Sequence, residues 1–217
     1  MISGIVLLSS LLLGANPPSS APPADLIQPD AQELIERLRR PAPADTAYTE
    51  VRFVGMLQRP LLLHGTLHYG GVNQLGKRVD SPYRESTSIA DGQVEVQREG
   101  KSARRFSLER APELQALLAG FSALLSGDVA SLNSYYVMTL EQTGASWRLS
   151  LTPREPGLAK HLRDIVVNGN ANETRCFTLH EVDGDASVML LGVLAGAKLS
   201  DPPTATALAT ICGASAP

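Results

Sequence analysis

The four histidines have the clearest capacity for metal or acid–base chemistry in this 217-residue chain. His64 and His68 stand four residues apart, but their segment alternates apolar and polar residues as a strand does, without a His-Glu-x-x-His helix pattern. A strand turns alternate side chains to opposite faces, so both would point away from the apolar face of that segment. His161 and His180 are isolated in the sequence. The pattern favours exposed strand histidines, and we expect no bound metal.

Nucleophilic and phosphate-binding motifs are missing from the sequence. No Gly-x-Ser-x-Gly elbow occurs, and neither cysteine has a neighbouring histidine that could activate its thiol. Gly70-Gly71 lacks the Lys-Ser/Thr of a phosphate loop, and Asp183 and Asp185 flank a glycine as turn residues do. We predict no catalytic residue, no cofactor and no enzyme activity. An esterase or thioesterase is the weaker alternative, for which no triad can be assembled.

Cys176 and Cys212 are the only cysteines of the chain. In an oxidising compartment they could form one disulfide, closing a loop of about 37 residues and stabilising the fold by about 4 kcal/mol. Such a bond would tie the C-terminal tail to the body of the domain. Two buried thiols are the alternative, and a metal pair is disfavoured because no other ligand stands at a suitable spacing.

The N-terminus has the pattern of a secretory signal peptide. Its apolar run over 5–13 suits a signal peptide and is too short for a membrane span, which needs about 20 residues. Cleavage is expected near Ala15 or Ala21, although no Lys or Arg precedes the run. The alternative is a disordered apolar N-terminus of a cytosolic protein. We predict a signal peptide and Pro-rich leader over 1–24, one domain over 25–200, a Cys-bearing tail over 201–217 and a periplasmic location.

The charge distribution argues against nucleic-acid binding. The formal net charge is −3, and Lys and Arg are interspersed with Asp and Glu. A nucleic-acid site needs a basic patch, which this pattern does not supply. We expect no nucleic-acid partner, and we expect a monomer.

Two helices are predicted from apolar spacing. Asp30 and Glu33 match a capping box, and an apolar stripe then runs to Leu38, ahead of Pro41. A second helix is predicted between Pro112 and Gly127, with a proline early and a glycine at its end. Its apolar stripe consists of Leu114, Leu117, Leu118, Phe121, Leu124 and Leu125.

Most of the remaining chain alternates apolar and polar residues with the period of a strand. Gly65 marks a bulge or a close approach, and Pro82 favours an edge or a bend. Glycine-bearing turns separate the segments, which is typical of an antiparallel meander. The predicted strands are 48–54, 61–69, 79–88, one starting at 94, 105–108, 135–141, 147–151, 161–167, 174–180 and 187–194. If the sheet curves, its few helices cover a concave apolar interior that either packs solid or holds an apolar ligand.

Several short motifs occur in a family-specific order. A strand with Phe53 precedes Gly65-Thr66-Leu67, and Pro82 closes an eighteen-residue span that begins at Gly65. Ile89-Ala90-Asp91-Gly92 supplies a turn, and the strand from Trp147 ends in Leu-Thr-Pro. In order and spacing, these motifs over 30–195 resemble the LolA family of periplasmic lipoprotein carriers.

The resemblance implies a mainly β (α+β) fold, a half-open antiparallel barrel covered by helices, whose apolar cavity receives the acyl chains of a lipid or lipoprotein. It also implies an inner-membrane transporter as donor and an outer-membrane acceptor. One motif departs, because Gly70-Gly71-Val72 stands where better-known carriers have Lys-Arg-Pro, whose arginine helps hold the lid. The resemblance therefore implies a divergent member with different lid control and a cargo that could be a lipid or an acylated pigment-like product.

The apolar strand and helix positions supply the cavity candidates. Each could equally belong to an ordinary core. The candidates are Val51, Phe53, Leu63, Leu67, Tyr69, Val79, Val96, Leu118 and Phe121. We predict a periplasmic carrier, and the alternative is a lipid-sensing regulatory or protein-interaction module on the same scaffold.

Overall fold

The computed structural model describes residues 29–213, so the predicted signal peptide and its cleavage sites lie outside the described residues. Within this range no helix is long and apolar enough to cross a membrane. The helices are α1 (Pro29–Arg37), α2 (Pro112–Ser126), α3 (Val129–Tyr135), α4 (Pro156–Ala159) and α5 (Ala205–Cys212). The strands are β1 (Ala44–Phe53), β2 (Leu61–Gly71), β3 (Gln74–Ser81), β4 (Glu85–Ala90), β5 (Gln93–Arg98), β6 (Arg104–Ser107), β7 (Tyr136–Thr143), β8 (Ser146–Pro153), β9 (Leu162–Asn170), β10 (Glu173–Glu181) and β11 (Ala186–Leu191).

The described strands form one antiparallel sheet of 11 strands in the order β6-β5-β4-β3-β2-β1-β11-β10-β9-β8-β7. Within β1–β6 and within β7–β11, each strand pairs with the next one in the chain, and the pairing of β1 with β11 joins these two halves. The sheet stays open between β6 and β7. The predicted mainly β, antiparallel fold with a few helices is confirmed.

Both faces of the central strands are covered. Tyr48, Thr49, Glu50 and Val51 of β1 are 1%, 2%, 3% and 0% exposed. Tyr48 belongs to the main core cluster, which includes buried side chains of α1, α2 and α3. Val51, which points to the other face, packs in a second cluster with side chains of α5. The sheet is therefore the middle layer of the domain at this point.

The long predicted helix is confirmed as α2, which starts at Pro112 and ends at Ser126. Gly127 follows with φ 71°, a left-handed conformation that glycine adopts without strain. Asp128 then caps α3, a helix that the sequence did not predict, by accepting a hydrogen bond of 3.0 Å from the Ser131 N–H.

The predicted single strand over 79–88 is wrong. β3 ends at Ser81 and β4 begins at Glu85, with Pro82 in the turn between them. Proline lacks the N–H that a ladder needs, so the chain bends here instead of continuing the strand. Gly65 is confirmed as a close approach, since a Cβ there would lie 1.8 Å from the carbonyl oxygen of Arg78.

One helix begins earlier than predicted, and one further helix was not predicted. α1 begins at Pro29, so Asp30 lies inside its first turn and does not cap it. The segment interpreted as a tail contains α5, which is capped by the Thr204 side chain accepting from the Ala207 N–H at 3.2 Å. The Ala/Thr-rich sequence of α5 carries only a weak apolar stripe, which does not predict a helix.

Gly120 sets how closely α2 approaches the sheet. A Cβ at Gly120 would lie 2.1 Å from Cε2 of Tyr136, whose side chain is fully buried. Alanine favours a helix over glycine by about 1 kcal/mol, yet Gly120→Ala is expected to lower the free energy of unfolding by about 1–3 kcal/mol through overpacking. Thermal melting measures the effect. Gly196→Ala is the control, because no atom lies within 4 Å of its Cβ position; a Gly120→Ala protein as stable as wild type would contradict this packing.

Candidate functional site

A cavity of about 690 Å³ lies between α2 and the sheet face that carries the main core. This volume falls within the range of about 300–1,000 Å³ that is common for small-molecule sites. Its larger apolar lining residues are Leu38, Phe53, Val54, Leu67, Tyr69, Leu75, Ile89, Leu114, Leu117, Leu118, Phe121, Leu124, Leu125, Phe177, Leu179, Met189 and Leu191. The cavity can therefore take an apolar group.

The α2 helix forms one wall of the cavity, and we call it the lid helix. Every residue of its predicted apolar stripe lines the cavity. Phe121 also meets Phe177 of β10 edge to face, with ring centroids 5.6 Å apart. The lid helix thus presents an apolar face that packs only in part against the sheet.

The lid helix is held at its C-terminal half by hydrogen bonds from two loops. The backbone N–H of Asn73 donates to Oγ of Ser122 at 3.1 Å, and that of Arg40 donates to the carbonyl of Leu125 at 2.9 Å. Asn73 directly follows Gly70-Gly71-Val72, the segment that departs from the Lys-Arg-Pro pattern. A backbone donor from that turn therefore contacts the lid helix.

The predicted cavity residues fall into three groups. Leu67, Tyr69, Leu118 and Phe121 line the cavity. Phe53, the last residue of β1, also borders the cavity but packs against the second core cluster, as Val51 does. Leu63 and Val79 are buried in the main core cluster without lining the cavity, and Val96 is half-buried on β5 away from it. That any of these residues binds a lipid stays a prediction.

The placement of Val51 in the cavity is wrong. It packs on the opposite face of the sheet with Cys176, Leu208 and Cys212. The β1 residues that line the cavity instead include Thr46, Glu50 and Arg52. Alternation along β1 puts Val51 on the face opposite Glu50 and Arg52, so an apolar residue of this strand does not mark the cavity face.

A cluster of charged residues, which sequence reasoning missed, lies in the cavity wall. Oε1 of Glu50 accepts hydrogen bonds from Arg52 Nε at 2.8 Å and from Ser187 Oγ at 2.6 Å, and Oε2 accepts from Lys77 Nζ at 2.5 Å. Lys77 Nζ also lies 5.2 Å from the ring centroid of Tyr48. We call Glu50, Arg52, Lys77 and Ser187 the charge cluster.

Burial and ion pairing shift the pKa values of the charge cluster in opposite directions. Burial by itself would raise the pKa of Glu50, but the charge of Lys77 and the hydrogen bonds from Arg52, Lys77 and Ser187 outweigh it and lower the pKa. Burial lowers the pKa of Lys77, and the attraction of Glu50 offsets only part of that effect. For Arg52, pairing with Glu50 outweighs burial and raises the pKa. Glu50 is therefore held as a carboxylate between two cations.

The face of the sheet away from the cavity carries the cysteines. Cys176 on β10 and Cys212 on α5 form a disulfide with a Cα–Cα distance of 5.7 Å, and both residues are buried. Val51, Val188 and Leu208 pack around them. The bond fastens α5 onto the outside of the sheet.

The histidines take part in local pairs. His64 and His68 are both exposed. Nδ1 of His64 lies 2.7 Å from Thr49 Oγ1, and Nδ1 of His68 lies 2.7 Å from Asp45 Oδ1. His68 also reaches the rim of the cavity. Nδ1 of His180 lies 2.5 Å from Asp164 Oδ1. Among residues 29–213, no group of three or more His, Cys, Asp or Glu side chains is arranged to hold a metal ion.

Solved structures with a similar chain path were found, all of low sequence identity. A LolA superfamily protein from Nitrosomonas europaea has 12% identity and a TM-score of 0.40, covering 81% of this chain and 96% of that one. The MucA/MucB complex of Pseudomonas aeruginosa has 14% identity and a TM-score of 0.39. The match covers 79% of this chain and 59% of that one, so this chain spans less than two thirds of that relative. LprF from Mycobacterium bovis has 12% identity and a TM-score of 0.34, covering 82% of this chain and 99% of that one.

No curated protein matches the sequence. A family model described as outer membrane lipoprotein carrier protein LolA-like matches residues 21–215, which is nearly the whole chain. The chain therefore belongs to the LolA-like family of outer membrane lipoprotein carrier proteins.

Proposed function

We propose that this protein is a periplasmic carrier that holds the acyl chains of a lipid or lipoprotein in the cavity beneath the lid helix and ferries them between the inner and outer membranes. The observation that carries the proposal is the cavity of about 690 Å³, walled by the apolar stripe of α2. The family membership over residues 21–215 supports it. The proposal assigns the protein no catalytic step.

The energetics of acyl transfer explain why such a cavity is useful. Burying a methylene group is worth about 0.8 kcal/mol, so a sixteen-carbon chain exposed to water costs about 12 kcal/mol. Leu, Phe and Met walls offset this cost with contacts that have no fixed direction. Such walls can accept different acyl chains and release them again.

Access to the cavity follows from how the lid helix is attached. The hydrogen bonds from Asn73 and Arg40 both reach the C-terminal half of α2, at Ser122 and Leu125. Near its N-terminal half, Leu114 and Leu118 line the cavity without belonging to either core cluster. We infer that cargo enters where α2 packs least against the sheet.

Leu118→Glu tests the cavity. A carboxylate at this position would have to be desolvated or would draw water into the cavity, so we expect binding of a fluorescent fatty-acid probe to weaken at least about tenfold. Since Leu118 lies outside the core clusters, the melting temperature should change little. It is a cleaner choice than Leu67→Glu, whose new carboxylate would stand opposite Lys77 in the β2–β3 register.

Gln115→Glu is the matched control, because it adds the same charge to an exposed position of the same helix. It should leave probe binding unchanged. Wild-type affinity in a folded Leu118→Glu protein would rule out the cavity as the binding site. Transfer of a labelled lipid between vesicles tests the carrier role itself, since binding without any transfer would favour a sensing module.

A further inference from the structure

The charge cluster has more positive than negative charge. Arg52 and Lys77 share the carboxylate of Glu50, which leaves one positive charge in excess within the charge cluster. The carboxylate of Glu85 also attracts Lys77 but forms no ion pair with it in the described part of the chain. Glu181 and Asp185 also line the cavity, but within residues 29–213 neither forms an ion pair with these cations. Oδ1 of Asp185 instead accepts a hydrogen bond of 2.8 Å from the backbone of Gly55.

The guanidinium of Arg52 is only partly used. Its Nε donates to Glu50, whereas Nη1 and Nη2 have no hydrogen-bond or ion-pair partner in the described part of the chain. The side chain is 40% exposed and lies in the cavity wall. A guanidinium presents parallel N–H donors that suit a carboxylate or a phosphate, so one edge of this group is available to a ligand.

The cations lie next to the apolar wall. In the strand register Lys77 stands opposite Leu67, and Glu50 stands opposite Met189. Both apolar partners line the cavity. A ligand whose charge is attached directly to an acyl chain could thus reach Arg52 while its chain lies under the lid helix.

We propose that the cargo is an amphiphile with an anionic group, and that Arg52 and Lys77 bind this group at one end of the cavity. The inference rests on the proposed function and deepens it by naming the class of cargo. Glu50 holds the two cations in place and balances one of them while the cavity is empty. The shared chemistry is a carboxylate or a phosphate oxygen next to an alkyl chain.

The test compares palmitic acid with methyl palmitate as competitors of a neutral fluorescent probe at pH 8. The two ligands share the alkyl chain and differ in charge. A hydrogen-bonded ion pair with Arg52 should make the acid about tenfold tighter than the ester in wild type. Arg52→Gln should bring the acid down to the affinity of the ester while leaving the ester unchanged.

Arg78→Gln is the matched control, because it removes the same charge from β3 on the face away from Lys77, where Arg78 pairs with Asp80. It should preserve the preference for the acid. Equal binding of acid and ester in wild type, or equal weakening of both in Arg52→Gln, would overturn the anion site alone. Failure of both ligands to displace the probe would instead contradict the proposed function. Hexadecyl phosphate and phosphatidylglycerol vesicles, added as further competitors, distinguish a free carboxylate from a phosphate headgroup. Tighter binding of the acid or of a phosphate compound than of the ester supports the site.

Discussion

Replacing Glu50 with glutamine is expected to lower the free energy of unfolding by about 3 kcal/mol, because it leaves two cations together without their counter-charge. Glu50 is 3% exposed and accepts three hydrogen bonds, from Arg52, Lys77 and Ser187. The estimate stays at the lower end for a buried pair because the Arg52 and Lys77 side chains are 40% and 27% exposed. Urea denaturation at pH 7 measures the change.

A double-mutant cycle separates lost pairing from lost packing. Lys77→Met removes one cation and keeps most of the side-chain volume, so the Glu50→Gln/Lys77→Met protein should be more stable than the sum of the two single effects predicts. The coupling should exceed about 1 kcal/mol for groups in direct contact. Strictly additive effects, or a Glu50→Gln protein within about 0.5 kcal/mol of wild type, would show that the charge cluster does not stabilise the fold.

The pH dependence follows from the direction of the Glu50 shift. Its pKa in the folded protein lies below the ordinary value of 4.5. The stabilisation is therefore fully present above the unfolded-state pKa and is lost as pH falls through the folded-state pKa. Wild type should lose stability as pH falls below about 5, and Glu50→Gln should lose less over the same interval because this carboxylate is gone. Parallel acid profiles would contradict the assignment.

The helical stripe of α2 could be predicted because one face of the helix is apolar and the other is not. A period of 3.6 residues then specifies both the helix and the side that faces the sheet. All of the predicted stripe, from Leu114 to Leu125, lines the cavity. The antiparallel order of the strands could be predicted for a related reason, since glycine-bearing turns such as that at Gly92 separate segments with a period of two.

The charge cluster could not be predicted because β1 is covered on both faces. Alternation identifies a buried face only when the other face meets water. In β1 the run from Tyr48 to Val51 is buried throughout, so the apolar side chain of Val51 does not identify the cavity face and the charge of Glu50 does not identify a solvent-exposed face. The covering of the outer face by α5 depends on contacts between residues far apart in the chain. No local pattern around Glu50 reveals its pairing with Lys77 on another strand.

Removing the disulfide is expected to destabilise the protein more than any other substitution considered. Cys176 and Cys212 are separated by 36 positions in the sequence, and freeing a loop of that length costs about 4 kcal/mol in the chain-entropy model. For a domain of this size, that loss lowers the melting temperature by roughly 10 °C. Cys176→Ala/Cys212→Ala measured beside wild type by calorimetry gives the value.

Reductant provides the control for lost packing, because the alanine variant also removes buried sulfur atoms. If the covalent link stabilises the fold, reductant should lower the melting temperature of wild type towards that of the double variant and leave the double variant unchanged. Cys176 is fully buried and Cys212 is 3% exposed, so wild type should be reduced while unfolded and then refolded. Equal melting temperatures for oxidised and reduced wild type would show that the bond does not stabilise the tethered helix.

The same double variant should show that the stability supplied by the disulfide and the binding of a ligand depend on opposite faces of the sheet. The disulfide and α5 lie against Val51 and Leu208, whereas the cavity lies on the other face beneath the lid helix. The double alanine variant should therefore bind the fatty-acid probe with nearly wild-type affinity well below its melting temperature, even though its fold is less stable. A parallel loss of binding in the folded variant would mean that α5 holds the curvature of the sheet and, through it, the shape of the cavity.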